Sequence, residues 1–443
     1  MKVIVIGCTH AGTASILNIK KLHPETEVTV YERNNNISFL SCGIALYVAG
    51  VVKDQNGLFY ASPDQLKSMG VSTNMEHDVT AIDFDLKQVT VKNLVTGEMF
   101  IDSYDKLVLT MGSWPIVPKI EGIDLEGILL SKNYDHSNVI IERAKDANHI
   151  TVIGAGYIGV ELVEAFEMLG KKVTLIDAMD RIMSKYLDPA FTDQAEKAFT
   201  DHGIRLALGQ SVVKFEGECG KVTKVVTDQE THQTDLVILC IGFKPNTGLV
   251  ADKLEMLPSG AIKIDEYMNT SREDVFAAGD CCSVIYNPTG EHCYIPLATN
   301  AVRMGTLVAR NLLKPTTKYL GTQGTSGIKI YDLDIASTGM TETACDTLGI
   351  VVKSVTIKEN NRPEFMPSYD EAQLKLVYDA TTHRVLGGQI LAHSDLTQQM
   401  NTLSVCIQNK MTIEELAFVD FFFQPHYNKP WNLLNQAALA ALE

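Results

Sequence analysis

Gly154, Gly156 and Gly159 stand in the spacing GxGxxG directly after the β-branched run Ile150 to Ile153. Each position has a mechanical use. Gly154 permits a tight turn, Gly156 lets the backbone approach a pyrophosphate, and Gly159 lets the following helix pack against the strand. That helix, with apolar spacing through Leu162, Ala165, Phe166 and Leu169, turns free amides toward phosphate charge. Eighteen positions past Gly159, at the end of the strand Val173 to Ile176, Asp177 offers a carboxylate to ribose hydroxyls and repels a 2′-phosphate. None of the three residues after it is basic, so the pattern predicts NAD rather than NADP. Glycines alone are common in structural turns; the strand before and the acid after are what favour a dinucleotide.

The chain opens with the same design. The strand Val3 to Ile6 leads into Gly7-Cys8-Thr9-His10-Ala11-Gly12, a helix to about Leu22 and a second strand, Val28 to Tyr31, ending at Glu32. Thr9 replaces the second glycine, and Glu32 keeps the ribose-binding position twenty residues past Gly12. The substitution leaves His10 beside the dinucleotide, either as a turn residue or as a group that moves protons. Two dinucleotide sites in one polypeptide argue for a bound flavin exchanging electrons with a diffusing nicotinamide cofactor.

Cys42, in Ser38-Phe39-Leu40-Ser41-Cys42-Gly43, lies after the first βαβ unit and before an apolar, helix-like run. A thiol at a helix start has its thiolate stabilised by the dipole and by unpaired amides, and an imidazole nearby adds to that. The nine cysteines are too sparse for a disulfide scaffold and none forms CxxC, so reduced thiols are expected, buried as small hydrophobes in most cases. No metal is expected.

Elements of several domains are needed to position these groups, and 443 residues supply two to four. The first unit ends near Gly112-Ser113-Trp114-Pro115 and the second near Gly242-Phe243-Lys244-Pro245-Asn246. From about Gly321 the chain alternates strand-like runs (Lys329 to Tyr331, Val351 to Ile357, Leu374 to Tyr378) with turns such as Gly387-Gly388, then ends in helical patterns, as a mixed α+β domain does. Lys and Arg number 38 against 54 acids, a formal charge of −16, with no basic run longer than two. Nucleic acid is excluded as a partner on that balance. No apolar stretch approaches a membrane span and the run Val3 to Ile6 is too short for a signal peptide, so no membrane role and a cytoplasmic location are expected.

With these motifs placed, the chain resembles, end to end, the pyridine nucleotide-disulfide reductase superfamily, and within it the single-cysteine branch of NADH oxidase, NADH peroxidase and CoA-disulfide reductase. The matching stretches are Gly7, His10 and Gly12, the SFLSCG around Cys42, Tyr104 to Gly112, the second glycine turn, Ile241 to Asn246, and Asp274 to Asp280. The resemblance implies a glutathione-reductase-like α/β fold. An FAD-binding domain is split over 1–112 and 245–320, an NAD-binding domain spans 113–244, and a C-terminal α+β dimerisation domain at 321–443 makes a homodimer. Tightly bound FAD and NADH as co-substrate follow. Asp280 is the residue that meets the ribityl chain in the family. The resemblance assigns further cofactor contacts to Ala11, Arg33, Cys42, Val79, Thr110, Gly112, Ser113, Lys132, Gly242, Gly279, Leu297, Ala298, Thr299 and Ile328. For the nicotinamide nucleotide it adds Ala155, Tyr157, Ile158, Glu161 and Tyr186.

Dithiol relatives carry a second cysteine five positions from the first, where this chain has Ile37 and Tyr47. Cys42 therefore has no local disulfide partner, and the resemblance implies that it cycles instead between thiol and sulfenic acid, attacking the O–O bond of a peroxide, with His10 as its helper. CoA-disulfide reductases carry a pair of tyrosines in the third domain, whereas the comparable stretch Asn361 to Pro367 here offers Phe365 and Met366, and the tail Phe421 to Pro425 is likewise without tyrosine. The Gly7 to Gly12 turn and Arg362 to Pro367 favour the water-forming NADH oxidases, with O₂ rather than H₂O₂ as acceptor. NADH peroxidase stays open as the alternative, CoA-disulfide reductase after it, and a flavin redox sensor as the non-catalytic reading.

Overall fold

A computed structural model describes residues 1–443. The β-branched run at the N-terminus forms the strand Lys2–Ile6, whose Val3, Ile4 and Val5 are fully buried, as a strand covered on both faces requires. It is the centre of a five-stranded sheet ordered Val275–Ala277, Lys106–Leu109, Lys2–Ile6, Glu27–Glu32, Val71–Met75, with every pair parallel. One edge strand thus comes from far along the chain. From the same region the helix Ala298–Asn311 packs on the helix His10–Leu22.

The second sheet repeats the plan: Arg205–Leu208, Lys172–Asp177, His149–Ile153, Leu236–Leu239 and Ile128–Leu130, again all parallel. The helix Tyr157–Met168 follows its central strand. Where the chain passes between the two units, Ser113–Pro115 pairs antiparallel with Phe243–Pro245, so both crossings are joined in one small ribbon.

The third sheet is antiparallel, in the order Ser326–Ile330, Leu333–Gly339, Val385–Ala392, Glu371–Asp379, Val352–Asn360. Its pleat splits the side chains between two partners. Leu374, Leu376 and Ile390 face a core closed by the helices Gln398–Gln408 and Leu433–Leu442. Ile335 and Leu391 point the other way and join Val160, Leu162 and Phe166 in the core of the second unit. Gly387 and Gly388, expected in a turn, lie inside the strand Val385–Ala392. A Cβ on Gly387 would sit 1.9 Å from the carbonyl oxygen of Met340, and one on Gly388 2.2 Å from a methyl of Leu403. The glycines serve close approach rather than chain reversal.

Phe39, Ile44, Ala45, Val48 and Leu58 are buried in the core of the second unit, although they follow the first βαβ motif in sequence. The stretch that carries Cys42 therefore bridges the two dinucleotide folds. No helix is long and apolar enough to cross a membrane.

A candidate active site between two dinucleotide turns

Both glycine turns are closed by the same pair of hydrogen bonds. Gly7 N–H donates to the carbonyl of Tyr31 (2.9 Å) and Cys8 N–H to Glu32 Oε2 (2.6 Å). In the second unit Gly154 N–H donates to the carbonyl of Ile176 (2.8 Å) and Ala155 N–H to Asp177 Oδ2 (2.5 Å). The second oxygen of each acid is oriented too. Glu32 Oε1 accepts from Asn34 N (2.9 Å) and Nδ2 (2.6 Å), and Asp177 Oδ1 accepts from Met179 N (2.7 Å). A Cβ on Gly12 or Gly159 would lie 2.0 or 1.8 Å from the carbonyl oxygen of the first glycine, which is the close helix–strand packing the motif needs. At Gly156 a Cβ would meet nothing within 4 Å, so the backbone is open where a phosphate approaches.

The helices that begin at His10, Tyr157 and Ala298 have Thr9, Gly156 and Leu297 before them, and no side chain caps their first amides. Asn133, Ser62, Thr341, Thr412 and Asn432 do cap their helices. Uncapped amides of this kind accept an anion. Thr110 Oγ1 braces the first turn, donating to the carbonyls of Ile6 (2.9 Å) and Gly7 (2.8 Å).

Four of the expected cofactor contacts gather at the crossing ribbon. Ser113 Oγ donates to Asp280 Oδ2 (2.8 Å), Lys132 Nζ donates to Ser113 Oγ (2.8 Å) and lies 3.5 Å from Asp280, and the same ammonium sits 4.5 Å over the ring of Phe243 in the motif of Gly242. Tyr294 Oη is buried without a partner. Other expected contacts stand apart. Arg33 pairs with Asp78 at 3.3 Å, while the side chains of Val79 and Ile328 are buried in the cores of the first and second units. Thr299 is exposed on the first turn of its helix.

Cys42 lies in the 3₁₀ turn Ser41–Gly43, exposed, with the helix Ile44–Val48 following, and all nine cysteines are free. The expected stabilisation of its thiolate is corrected here. Partial burial pushes the thiol up, and the carboxylates of Glu161 and Asp280 push it further; a local amide and Lys132 oppose this. A helix of five residues brings too small a dipole to prevail over two acids. His10 is no imidazolium either, since burial lowers it more than Asp280 raises it. Its Nδ1 lies 3.2 Å from Tyr60 Oη with the rings stacked at 5.8 Å, and its Nε2 is buried with no partner. A buried nitrogen of that kind requires a partner from outside the chain. Tyr60 belongs to no motif, and nothing in its sequence surroundings marks it. On the second unit, Tyr186 packs on Tyr157 at 4.5 Å, and burial lifts Glu161 to about 7, helped by Glu164.

Two dinucleotide folds with a solitary thiol between them define a flavin-linked pyridine nucleotide oxidoreductase, and the orphaned His10 nitrogen, the open backbone at Gly156 and the uncapped helices fit FAD and NADH. Residues 1–305 match the family model for the pyridine nucleotide-disulphide oxidoreductases, and residues 325–433 the dimerisation domain of that family. The chain belongs to this family. It is 56% identical over 444 residues to an NADH oxidase of Enterococcus faecalis, with all of both chains covered. The water-forming NADH oxidase from Lactobacillus brevis bound to NADH superposes with a TM-score of 0.98 at 54% identity, over 100% of this chain and 98% of that one. An engineered water-forming NADPH oxidase bound to NADPH, made from the L. brevis enzyme, gives 0.98 at 53% over the same shares.

Because the Glu161 carboxyl titrates near 7 in the folded chain, above its ordinary 4.5, folding loses stability as pH rises through that interval. Glutamine is neutral throughout. Glu161→Gln is expected to unfold with wild type at pH 4.5 and several degrees above it at pH 8, as read by thermal melts; equal midpoints at pH 8 would show that the carboxyl is not held up.

Proposed function

We propose that this chain is an FAD-dependent NADH oxidase that reduces O₂ to water, and that Cys42 performs the second half of the reduction. The observation that carries the reading is the solitary exposed thiol, placed with His10, Glu161, Asp280 and Lys132 between two dinucleotide turns and lacking a neighbouring cysteine. Bound FAD would supply the acceptor for hydride from NADH and the donor of electron pairs to oxygen and to oxidised Cys42. Gly7, Thr9, His10, Ala11, Gly12 and Glu32 hold its adenosine diphosphate half, and Ser113, Lys132 and Asp280 meet its ribityl chain. Gly154, Ala155, Gly156, Ile158, Gly159 and Asp177 hold NADH, with Tyr157, Glu161 and Tyr186 around the nicotinamide end.

As a thiolate, Cys42 attacks hydrogen peroxide, the two-electron product of oxygen. An S–O bond forms, the O–O bond breaks, and the departing hydroxide takes a proton to become water. His10, neutral and with one nitrogen free, moves that proton. Electrons from a second NADH return the sulfenic acid to thiol and release the second water, so two NADH are consumed per O₂. The units act as an FAD domain (1–112 and 245–320), an NAD domain (113–244) and a dimerisation domain (321–443). Exposed Phe418, Phe422, Phe423, Tyr427 and Trp431 on the last supply the apolar surface of a homodimer. The unpaired cysteines suit the cytoplasm.

In an oxygen electrode with NADH followed in parallel, two NADH per O₂ are expected, and catalase returns no oxygen. Peroxide-dependent NADH loss without O₂ uptake would mark a peroxidase instead. Cys42→Ser is expected to consume one NADH per O₂ and to release H₂O₂ stoichiometrically; if it still yields only water, Cys42 does not have this role.

Nucleotide choice rests on Asp177. The nearest arginine, Arg181, is engaged with Asp193 and Thr192 and so is not free to meet a 2′-phosphate. The engineered NADPH oxidase carries G159A, D177A, A178R and M179S, replacing residue types that this chain shares at those numbers, and its fifth change places arginine where this chain has Ser184. The double variant Asp177→Ala/Ala178→Arg is expected to move the kcat/KM ratio of NADH to NADPH by about 100-fold or more toward NADPH, as loss of one carboxylate and gain of one guanidinium together imply. An unchanged ratio would exclude Asp177 as the selector.

A further inference from the structure

The stretch from Ala178 to Leu187 wraps the second glycine turn without forming a helix or strand. Met179 N–H donates to Asp177, Met183 N–H donates to the carbonyl of Ala155 (2.8 Å), and Tyr186 packs on Tyr157. The stretch ends at Asp188, which is 1% exposed. Asp188 precedes the helix Pro189–Asp201 in the capping position, yet its side chain does not cap that helix. It is spent on the third unit. Oδ2 accepts from Gln389 Nε2 (2.7 Å), Lys375 Nζ (2.8 Å) and Glu342 N (3.2 Å), and Oδ1 accepts from Thr343 Oγ1 (3.3 Å). The Asp188 amide in turn donates to Gln389 Oε1 (2.7 Å).

Lys375 and Gln389 stand directly opposite each other on neighbouring strands and are 8% and 1% exposed. Both point to the sheet face that meets the second unit. Lys375 also donates to Glu342 Oε2 (2.6 Å). Burial raises the Asp188 carboxyl and the bonds from Lys375 and Gln389 lower it by more, so it stays ionised. Buried ion pairs of this kind are poor stabilisers: apolar side chains of the same volume commonly do as well or better. What such a network does supply is one defined arrangement, here of a loop end against a rigid sheet. A second tie reaches the same place, Tyr157 Oη to Ser326 Oγ at 2.6 Å.

We infer that Lys375 and Gln389 of the C-terminal sheet, acting through Asp188, are positioning residues for the NADH site, fixing the end of 178–187 and with it both Met183, whose amide braces the glycine turn at Ala155, and Tyr186. This rests on the NADH-binding reading above. The test compares FAD-loaded full-length wild type with Lys375→Met, Gln389→Met and Lys375→Arg. Steady-state KM and kcat for NADH, equilibrium titration with ADP-ribose, flavin content and thermal unfolding are measured. Lys375→Met and Gln389→Met are expected to raise KM and the ADP-ribose Kd by about five- to twentyfold while kcat stays within about twofold, and Lys375→Arg to restore most of the affinity. ADP-ribose affinity and KM unchanged in both methionine variants would overturn the inference, whatever the melting temperatures do, as would a fall in kcat alone. Gln389→Met leaves the Lys375–Asp188 pair in place, so it decides the matter if the lysine variant does not fold. A wild type that binds neither NADH nor ADP-ribose would instead sink the functional reading itself.

Discussion

One hydrogen bond, made twice, sets the geometry on which the rest depends: the amide after the first glycine of each turn donates to the acid at the end of the next strand. Cys8 to Glu32 and Ala155 to Asp177 each tie neighbouring parallel strands at their carboxyl ends. The bond closes the turn before a helix whose first amides no side chain caps, and it orients the acid that the proposed function sets against a ribose. An unsatisfied buried acid would cost a full desolvation penalty, and Glu32, 4% exposed, carries that liability most heavily. The two turns are therefore built by the same physics on two separate stretches of sequence, each at the carboxyl end of its parallel sheet, where the proposed function sets a nucleotide.

Between those turns Cys42 is placed by a core that is not its own. Phe39, Ile44, Ala45, Val48 and Leu58 belong in sequence to the first unit and are buried with the second. Cys42 accordingly faces Glu161, on the helix of the second turn, as well as Asp280 of the first unit. The third unit grips the second from the far side. Tyr331 N–H donates to Glu164 Oε1 (2.9 Å), its ring stacks on His202 at 3.5 Å, and Asp188 is held by Lys375 and Gln389. The second unit is thereby fixed at both ends, by the thiol-bearing stretch and by the C-terminal sheet.

How much of this was legible in the sequence follows from the range of the forces involved. The βαβ turns were readable because strand, glycines, helix and acid sit within about thirty residues and each constrains its neighbour. Gly387-Gly388 misled because glycine serves both positive φ and close packing, and only the contacts with Met340 and Leu403 separate the two. Lys375, between Leu374 and Leu376, reads as the solvated side of a half-buried strand; it is buried because another unit covers that face. Tyr60 carried no signal, since its only partners are His10 and Thr9. The ionisation of Cys42 was misjudged for the same reason: the local helix was visible and the distant carboxylates were not.

That misjudgement bears on how the site can work. On the proposed reaction a thiolate at position 42 forms beside Glu161 and Asp280, each of which raises its cost. Lys132 relieves this little, being already engaged with Ser113, Asp280 and the face of Phe243. Glu161, lifted to about 7, is the group that can yield. Its protonation removes one of the two charges that oppose the thiolate, so ionising Cys42 costs less when Glu161 is neutral. The reactivity of the thiol is therefore set by carboxylates of both dinucleotide units at once, Glu161 on the second and Asp280 on the first.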